Sequence, residues 1–174
     1  MCMTSDFFLP EADEWRSEAW AMMRERQDLS FVIETKREHR FFKALPGDWG
    51  DGYENVTILC SVEIQRRVDD RIPAFLKLPV RHKGILCEPL LEKLVLDAYL
   101  KTGEIAQVLC GGEQGADARV CDFAWVLELM NQCVNCGVAF RFLRTGTFFR
   151  KGNRIYRIAE EEQEEQEDEY GKRG

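Results

Sequence analysis

Short apolar runs alternate along the chain with longer segments whose apolar residues recur at helical spacing. Five runs have the length and the Val and Ile content of strands: FVIET at 31–35, VTILCSV at 56–62, GILC at 84–87, IAQVLC at 105–110 and VAFRFL at 138–143. Runs that are apolar at consecutive positions are typical of parallel strands covered on both faces. The residues CMTS near the start of the chain are predicted to be the end of a sixth strand.

Three segments between these runs predict helices. Residues 11–26 place four apolar side chains on one helical face, namely Trp15, Ala19, Met22 and Met23, with Pro10 near the start. A shorter helix is indicated by Val68, Ile72, Phe75 and Leu76, with Pro73 predicted in its first turn. Residues 122–136 carry a further stripe, with Asp122 as the predicted N-cap and Gly137 as the residue that ends the helix.

Strand–helix–strand repetition predicts βαβ units, which form either an open doubly wound sheet or part of a (β/α) barrel. No G-x-G-x-x-G follows any strand, which weakens the dinucleotide-binding version of the first alternative. We therefore predict an α/β fold, a partial (β/α) TIM-like barrel of about six parallel strands. The predicted domain spans residues 1–158, and a disordered acidic tail is predicted at 159–174.

The charge distribution and the cysteine content indicate which binding partners and which cellular compartment to expect. Of the net charge of −7, the tail holds −6, because residues 159–174 contain 8 acids and 2 bases. The nearly neutral remainder gives no strong nucleic-acid signal, and no apolar run approaches the roughly 18 residues of a membrane span. Seven cysteines, an odd number, without an export signal at the start favour free thiols in a reducing cytoplasm.

A charged residue follows each of the six predicted strands. These residues are Asp6, Lys36, Glu63, Glu88, Glu113 and Arg144. In parallel α/β folds, active sites lie at the carboxyl ends of the strands. These side chains are therefore expected to surround one opening there, the predicted mouth, and to bind a polar substrate. The alternative is that charged residues follow strands because the chain is reaching the surface there.

Glycines flank one of these positions. Gly111 and Gly112 directly precede Glu113, and two glycines at a strand end let backbone N–H groups approach a ligand and form an anion-binding concavity. A tight turn after a strand also needs glycine, which is the simpler interpretation. Pro89 follows Glu88 and is expected to stop the strand there.

Metal and nucleophile motifs are weak in this sequence. Cys133-x-x-Cys136 resembles half of a zinc site, but Cys133 falls on the apolar stripe of its predicted helix, which favours a core role. His39 and His82 are the two histidines, and neither lies at the predicted mouth. No Ser/His/Asp set and no G-x-S-x-G elbow is present.

Several motifs together resemble a phage-associated family of radical S-adenosylmethionine-like proteins of uncertain activity. They run in order from about residue 2 to residue 158: CMTSDFFLPEADEWR, ETKREHRF, PGDWGDGYENVTI, SVEIQ, CEPLLEKL, GGEQGADARVCDFAWV and TGTFFRKGNRIYRI. In that family, more chain precedes this point and carries a cysteine triplet ending in C-x2-C, which is expected to hold an iron–sulfur cluster. The resemblance therefore implies S-adenosylmethionine and an iron–sulfur cluster as cofactors of the full-length family. For this chain, whose sequence lacks the triplet, no cofactor is expected.

The sequence departs from the family pattern at several places. Ile64, Gln114 and the pair Leu143-Arg144 stand where the family usually has Asn, Ser and Lys-Gln, and the tail is acidic rather than basic. The triplet is missing. We therefore expect the C-terminal segment of a radical-SAM-like protein of unknown substrate, without radical activity in this truncated form, because the cluster needs thiolate ligands.

The site residues expected from strand-end position and resemblance are Asp6, Lys36, Glu63 and Glu88 for catalytic contacts, and Gly111, Gly112 and Glu113 for cofactor binding. Two alternatives remain open. One is a non-catalytic module that completes a split barrel, either as a homodimer or with a partner chain supplying the missing strands, since open parallel edges invite pairing. The other is a small-molecule or nucleotide binder that works without a cluster.

Overall fold

Five parallel strands form the central sheet of the protein, which we describe from a computed structural model over residues 6–159 and 161–162. The strands are β1 (Phe31–Thr35), β2 (Val56–Ser61), β3 (His82–Cys87), β4 (Ile105–Gly111) and β6 (Ala139–Arg144). The five strands predicted from the apolar runs are confirmed, and each boundary lies within two residues of the predicted one. The predicted sixth strand, CMTS, lies outside the described residues, as does most of the acidic tail.

The strands lie in the order β1-β2-β3-β4-β6, so each pairs with the next strand of this sheet along the chain. Right-handed crossovers in such an order bring every connecting helix to the same face of the sheet. This is the arrangement of a (β/α) barrel rather than of a doubly wound sheet, which reverses direction at a switch point.

The helices cover one face of the sheet. They are α1 (Asp13–Glu25), α2 (Phe41–Ala44), α3 (Gln65–Leu76), α4 (Asp97–Leu100) and α5 (Phe123–Cys136), with short 3₁₀ turns at Pro10–Ala12 and Glu38–Arg40. Ile33, Ile58 and Ile85 point to this covered face, which we call the outer face, and are fully buried in the main apolar core.

The opposite side of the sheet, which we call the inner face, carries Glu34, Leu59 and Leu86. Leu59 and Leu86 are buried, yet they lie outside the core cluster of the outer face. A Cβ at Gly84 would lie 3.0 Å from Gln107 and overlap the side chain of Leu59, so this glycine makes room for its neighbours on the inner face. Within the described residues no helix is both long and apolar enough to cross a membrane.

Helix α1 buries a different stripe from the one predicted. Trp15 and Met22, which were expected to face the core, are 70% and 55% exposed, whereas Arg16, Trp20 and Met23 are buried. Arg16 can occupy the core side because its guanidinium donates to the carbonyls of Phe7 (3.0 Å) and Leu9 (2.7 Å) and pairs with Asp13. A buried charge with these partners outweighs the apolar pattern of the helix.

The prediction for Pro73 is also wrong. Helix α3 begins at Gln65 and runs through Pro73 to Leu76, so the proline lies in its second half. Proline is usually excluded there because it removes a backbone hydrogen bond. The burial of Val68, Ile72 and Phe75 on the outer face explains why the helix nevertheless continues to Leu76.

The predictions for α5 are confirmed. The side chain of Asp122 accepts a hydrogen bond from the backbone N–H of Ala124 at 2.9 Å, and Gly137 adopts a left-handed conformation with φ of 67°. A second, three-stranded sheet that the sequence analysis did not predict lies beside this helix. It contains β5 (Cys121–Asp122), β7 (Phe148–Lys151) and β8 (Arg154–Arg157).

Candidate functional site

Asp6 ties the N-terminal segment to the carboxyl end of β1. Its carboxylate accepts hydrogen bonds from the backbone N–H groups of Phe8 (2.9 Å) and Lys36 (2.8 Å) and from the hydroxyl of Thr35 (3.0 Å). Arg37 lies 3.6 Å from the same carboxylate. Asp6 is therefore at the strand ends, as predicted, and is held there by protein groups.

Lys36 and Glu63, from the ends of β1 and β2, are brought together as an ion pair. Arg71 of α3 joins them, with its guanidinium 3.3 Å from Glu63 and 2.6 Å from the carbonyl oxygen of Ser61. The side chains of Glu63 and Arg71 are only 15% and 14% exposed. Because the charges are largely withdrawn from water, this pairing is stronger than that of a surface salt bridge.

Glu88 and Arg144 form the second pair of strand-end charges, across the end of β4. The Nε of Arg144 lies 2.6 Å from the Glu88 carboxylate, and both side chains are mostly buried. Gly111 lies between them: a Cβ there would overlap the Glu88 carboxylate and approach the Arg144 side chain to 3.4 Å. The absence of a side chain at Gly111 thus leaves room for this ion pair. The Glu88–Pro89 peptide bond is cis.

Gly112 is packed against backbone. Its N–H donates to the carbonyl of Arg144 at 3.0 Å, and a Cβ would lie 2.8 Å from the nitrogen of Gly146 and overlap the carbonyl of Thr145. A Cβ at Gly146, where φ is 76°, would likewise lie 2.6 Å from the carbonyl oxygen and 2.8 Å from the nitrogen of Glu113. The space beside Gly112 is therefore filled by the loop between β6 and β7.

Glu113 is engaged by Arg119. Its carboxylate accepts from the Arg119 guanidinium at 2.6 and 2.8 Å and from the backbone N–H of Arg119 at 2.8 Å. These bonds stabilise the ionised form and lower the pKa of Glu113 to about 2. The charge of Glu63 also raises the pKa of Arg119.

Replacing Arg119 with glutamine is expected to return the pKa of Glu113 toward the ordinary range of a glutamate. A lowered pKa stabilises the folded state above the unfolded value of about 4.3, and this contribution is lost as the pH falls toward about 2. An NMR titration of the side-chain carboxyl carbon tests this directly. Arg66→Gln, which removes an arginine from the exposed surface of α3, is the control; an unchanged Glu113 titration in the Arg119→Gln variant would contradict the assignment.

Glu34 belongs to the same region, and the sequence analysis did not select it. It lies within β1 and is exposed on the inner side of the sheet. The surrounding protein partly desolvates its carboxylate and so raises its pKa, although the charges of Arg144 and Lys36 lower it. Glu34 and Arg144 belong to strands at opposite edges, which in a flat sheet would be about 19 Å apart. The charge of Arg144 nevertheless acts on the pKa of Glu34.

A signal for Glu34 was present in the sequence. A charged residue in the interior of an otherwise apolar strand is unusual, because a parallel strand covered on both faces would bury it. Glu34 lies inside β1 rather than after its last residue, so the strand-end rule does not select it.

The cysteines form a thiol-lined part of the outer core. Cys87 and Cys110 are paired neighbours on β3 and β4, and Cys133 of α5 is close enough to affect the pKa of both. Burial raises the pKa of Cys60, Cys121 and Cys133 to about 12, and that of Cys87 and Cys110 still further. Thiolates are the metal-binding form of cysteine, and burial disfavours them here.

No group of three or more metal-ligating side chains with suitable geometry occurs within 6–159 and 161–162. Cys133 is fully buried, in agreement with a core role, and Cys136 is partly exposed at the end of α5. The histidines lie elsewhere: His39 is exposed in a 3₁₀ turn, and His82, at the amino end of β3, has its Nε2 3.5 Å from Glu54.

A groove of about 490 Å³ lies on the outer side of the molecule, between α1 and residues 43–53. Its charged walls are paired within the protein: Arg24 lies 2.6 Å from Asp48, which also accepts from the hydroxyl of Tyr53 at 2.8 Å. None of the predicted strand-end residues lines this groove.

These features define an α/β protein with a parallel sheet of five strands and ion-paired charges at the carboxyl ends of its strands. The predicted residues fall into three groups: Asp6, Lys36 and Glu63 at β1 and β2, Glu88 with Arg144, and Glu113 with Arg119.

The chain belongs to a family described as "Protein of unknown function (DUF5131)", whose profile matches residues 1–172. No curated protein and no solved structure matches it.

Proposed function

We propose that this chain is the C-terminal segment of a radical-SAM-like, phage-associated protein, and that its inner face binds a small zwitterionic ligand of the S-adenosylmethionine class. The family resemblance of the sequence motifs supports the class of protein. The described cysteines are free thiols, which supports a cytoplasmic location.

The observation that carries the ligand proposal is the carboxylate of Glu34 near Arg144. Glu34 is exposed on the inner face, so its carboxylate is open to a ligand, and the charges of Arg144 and Lys36 act on it. An amino-acid moiety offers an ammonium group to such a carboxylate and a carboxylate to an arginine. Leu59 and Leu86 supply apolar surface on the same face of the sheet.

The chain as written is not proposed to perform radical chemistry. The buried thiols with raised pKa values are poor cluster ligands, and none of the cysteines has the triplet spacing. A reading frame upstream of or next to the Met1 codon that encodes a triplet ending in C-x2-C would supply these ligands. Sequencing about a hundred codons upstream tests this part; if neither frame encodes a triplet, the radical-SAM assignment fails.

Ligand binding is tested by thermal denaturation of the full chain with S-adenosylmethionine and without iron. A ligand at 100 times its Kd adds about 2.7 kcal/mol to the free energy of unfolding. We expect Glu34→Gln to remove this stabilisation and Glu18→Gln, on the exposed surface of α1, to leave it unchanged. Glu113→Gln shows whether the carboxylate engaged by Arg119 also takes part.

The outcomes separate the alternatives. If S-adenosylmethionine gives no stabilisation while the chain melts cooperatively, the ligand proposal is wrong. If ATP stabilises the chain as much as S-adenosylmethionine does, a cluster-independent nucleotide binder replaces it.

A second candidate, an assembly module, is favoured by the exposed flank of α1. At 100° per residue, Trp15, Ala19 and Met22 share a flank that faces away from residues 43–53. β1, the strand that follows α1 along the chain, is an edge strand with no paired strand on its other side among the described residues. We propose that a homodimer partner, or another chain that supplies further strands, packs there.

Light scattering after size-exclusion chromatography tests the assembly candidate. We expect a concentration-dependent dimer that Met22→Glu disrupts, with Val134→Glu, at an exposed apolar residue of α5, as the matched control. If the chain instead forms a heterodimer with the protein encoded by a neighbouring reading frame, the partner is that second chain and not a second copy. A monodisperse, cooperatively melting monomer that binds no such product would exclude the module.

A further inference from the structure

Positive charge is concentrated in the β7–β8 hairpin, which spans residues 148–157. This segment contains Arg150, Lys151, Arg154 and Arg157 and no acid, although the chain as a whole has a net charge of −7. All four residues of β8 are exposed. We call this segment the basic hairpin.

The charges of the basic hairpin are poorly compensated. Lys151 and Arg154 are directly opposite each other in the antiparallel register, an arrangement that is unfavourable for like charges. Within 6–159, no acidic group is in ion-pair contact with Arg154 or Arg157; Arg150 lies 3.5 Å from Asp122, and Lys151 lies over the Phe123 ring. An anion bound here would relieve the repulsion.

An exposed aromatic ring lies among these charges. Tyr156 is 43% exposed and shares a face of the hairpin with Lys151 and Arg154, because side chains two positions apart lie on the same side of a strand. Phe149, on the same face, packs against Phe123 with ring centroids 5.6 Å apart, whereas Lys151, Arg154 and Tyr156 stay exposed. The ring and the cations are thus presented on a fixed support.

We propose that the basic hairpin binds single-stranded nucleic acid, with phosphates against Lys151 and Arg154 and a base stacked on Tyr156. Cations interleaved with an exposed aromatic ring are what unpaired bases and their backbone require. A duplex keeps its bases stacked on one another and would leave the tyrosine unused. An acidic peptide would satisfy the cations but not the ring.

The acidic segment that follows the hairpin in sequence is expected to compete with the ligand. Residues 160–169 contain eight acids and directly follow the hairpin and its last two connecting residues. At low salt their charges act over about 10 Å or more. A variant with these eight acids replaced by Gln should therefore bind a polyanion several-fold more tightly at about 50 mM salt.

The test is fluorescence anisotropy of a labelled oligothymidylate with the full chain between about 50 and 200 mM salt. Two phosphate contacts, at Lys151 and Arg154, predict that log K falls with log salt with a slope of about −1.4. We expect Tyr156→Ala to weaken binding about tenfold, as loss of one stacked base does, and Arg154→Gln to reduce the slope by about 0.7. Lys101→Gln, an exposed lysine after α4, should change neither.

Three results would overturn the proposal. The first is the lack of saturable binding at about 50 mM salt. The second is an equal loss of affinity in Lys101→Gln and Arg154→Gln, which would show an unspecific charge effect. The third is tighter binding of polyglutamate or of a duplex of the same length, which would point to an acidic protein or to double-stranded DNA. Circular dichroism of each variant shows that the fold is retained.

Discussion

Trp20→Ala is expected to lower the free energy of unfolding by about 3–5 kcal/mol, the usual cost of removing a buried tryptophan. The Trp20 ring is 2% exposed and lies 4.9 Å from the Phe7 ring and 5.0 Å from the Trp49 ring. Its Nε1 donates to the carbonyl of Ala44 at 2.7 Å, and this acceptor loses its partner in the variant. Urea denaturation followed by far-UV circular dichroism measures the effect.

The same helix offers a matched control. Trp15 is 70% exposed, so Trp15→Ala should change the free energy of unfolding by less than about 0.5 kcal/mol. An equal loss of free energy of unfolding in the two variants would contradict a buried Trp20 and an exposed Trp15 on this helix. Because Phe7 packs against Trp20 and follows Asp6 directly, Trp20→Ala is also expected to loosen Asp6 from Thr35.

Gly112→Ala is expected to destabilise the fold by about 3 kcal/mol, the upper end of the usual cost of overpacking. The added methyl would overlap the carbonyl of Thr145 and lie 2.8 Å from the nitrogen of Gly146. Both are backbone groups, and they cannot move aside as a flexible side chain can. Urea denaturation gives the loss, and hydrogen exchange should localise it to the N–H groups of Gly112 and Thr147, which join β4 to the β6–β7 loop.

Gly47→Ala is the comparison. A Cβ at Gly47 meets no atom within 4 Å, and its backbone is not left-handed. Its effect should remain within about 0.5 kcal/mol of zero. If Gly112→Ala proves equally neutral, the contact between β4 and the loop after β6 must be looser than described.

The central sheet could be predicted because parallel strands covered on both faces leave a strong apolar signature. FVIET and VTILCSV could be located by composition alone, and Asp122 and Gly137 marked the ends of α5 because caps depend on adjacent residues. The small sheet of β5, β7 and β8 could not be found in this way. β8 is exposed at all of its positions, so it has no apolar alternation to detect.

The burial of α1 could not be predicted because it depends on distant partners. Arg16 is buried through the carbonyls of Phe7 and Leu9, which its helical periodicity does not reveal.

Five of the six charged residues lie at or just after the end of a described strand, as the strand-end rule expects, but the rule gives no information on their pairing. The contact between Glu88 and Arg144 joins residues 56 positions apart, and only the sheet order brings them together.

The sequential order of the strands has a consequence for how the chain folds. Phe31 pairs with Val56 and Thr57 with His82, each 25 positions further along, whereas Gln107 pairs with Ala139, 32 positions away. Closing a loop costs more entropy as the loop lengthens, and long-range pairing is slow. During synthesis each strand can dock on the one that left the ribosome before it. The pairing of β6 with β4 is then the last step of sheet assembly, and it brings Arg144 to Glu88 only after the other four strands are in place.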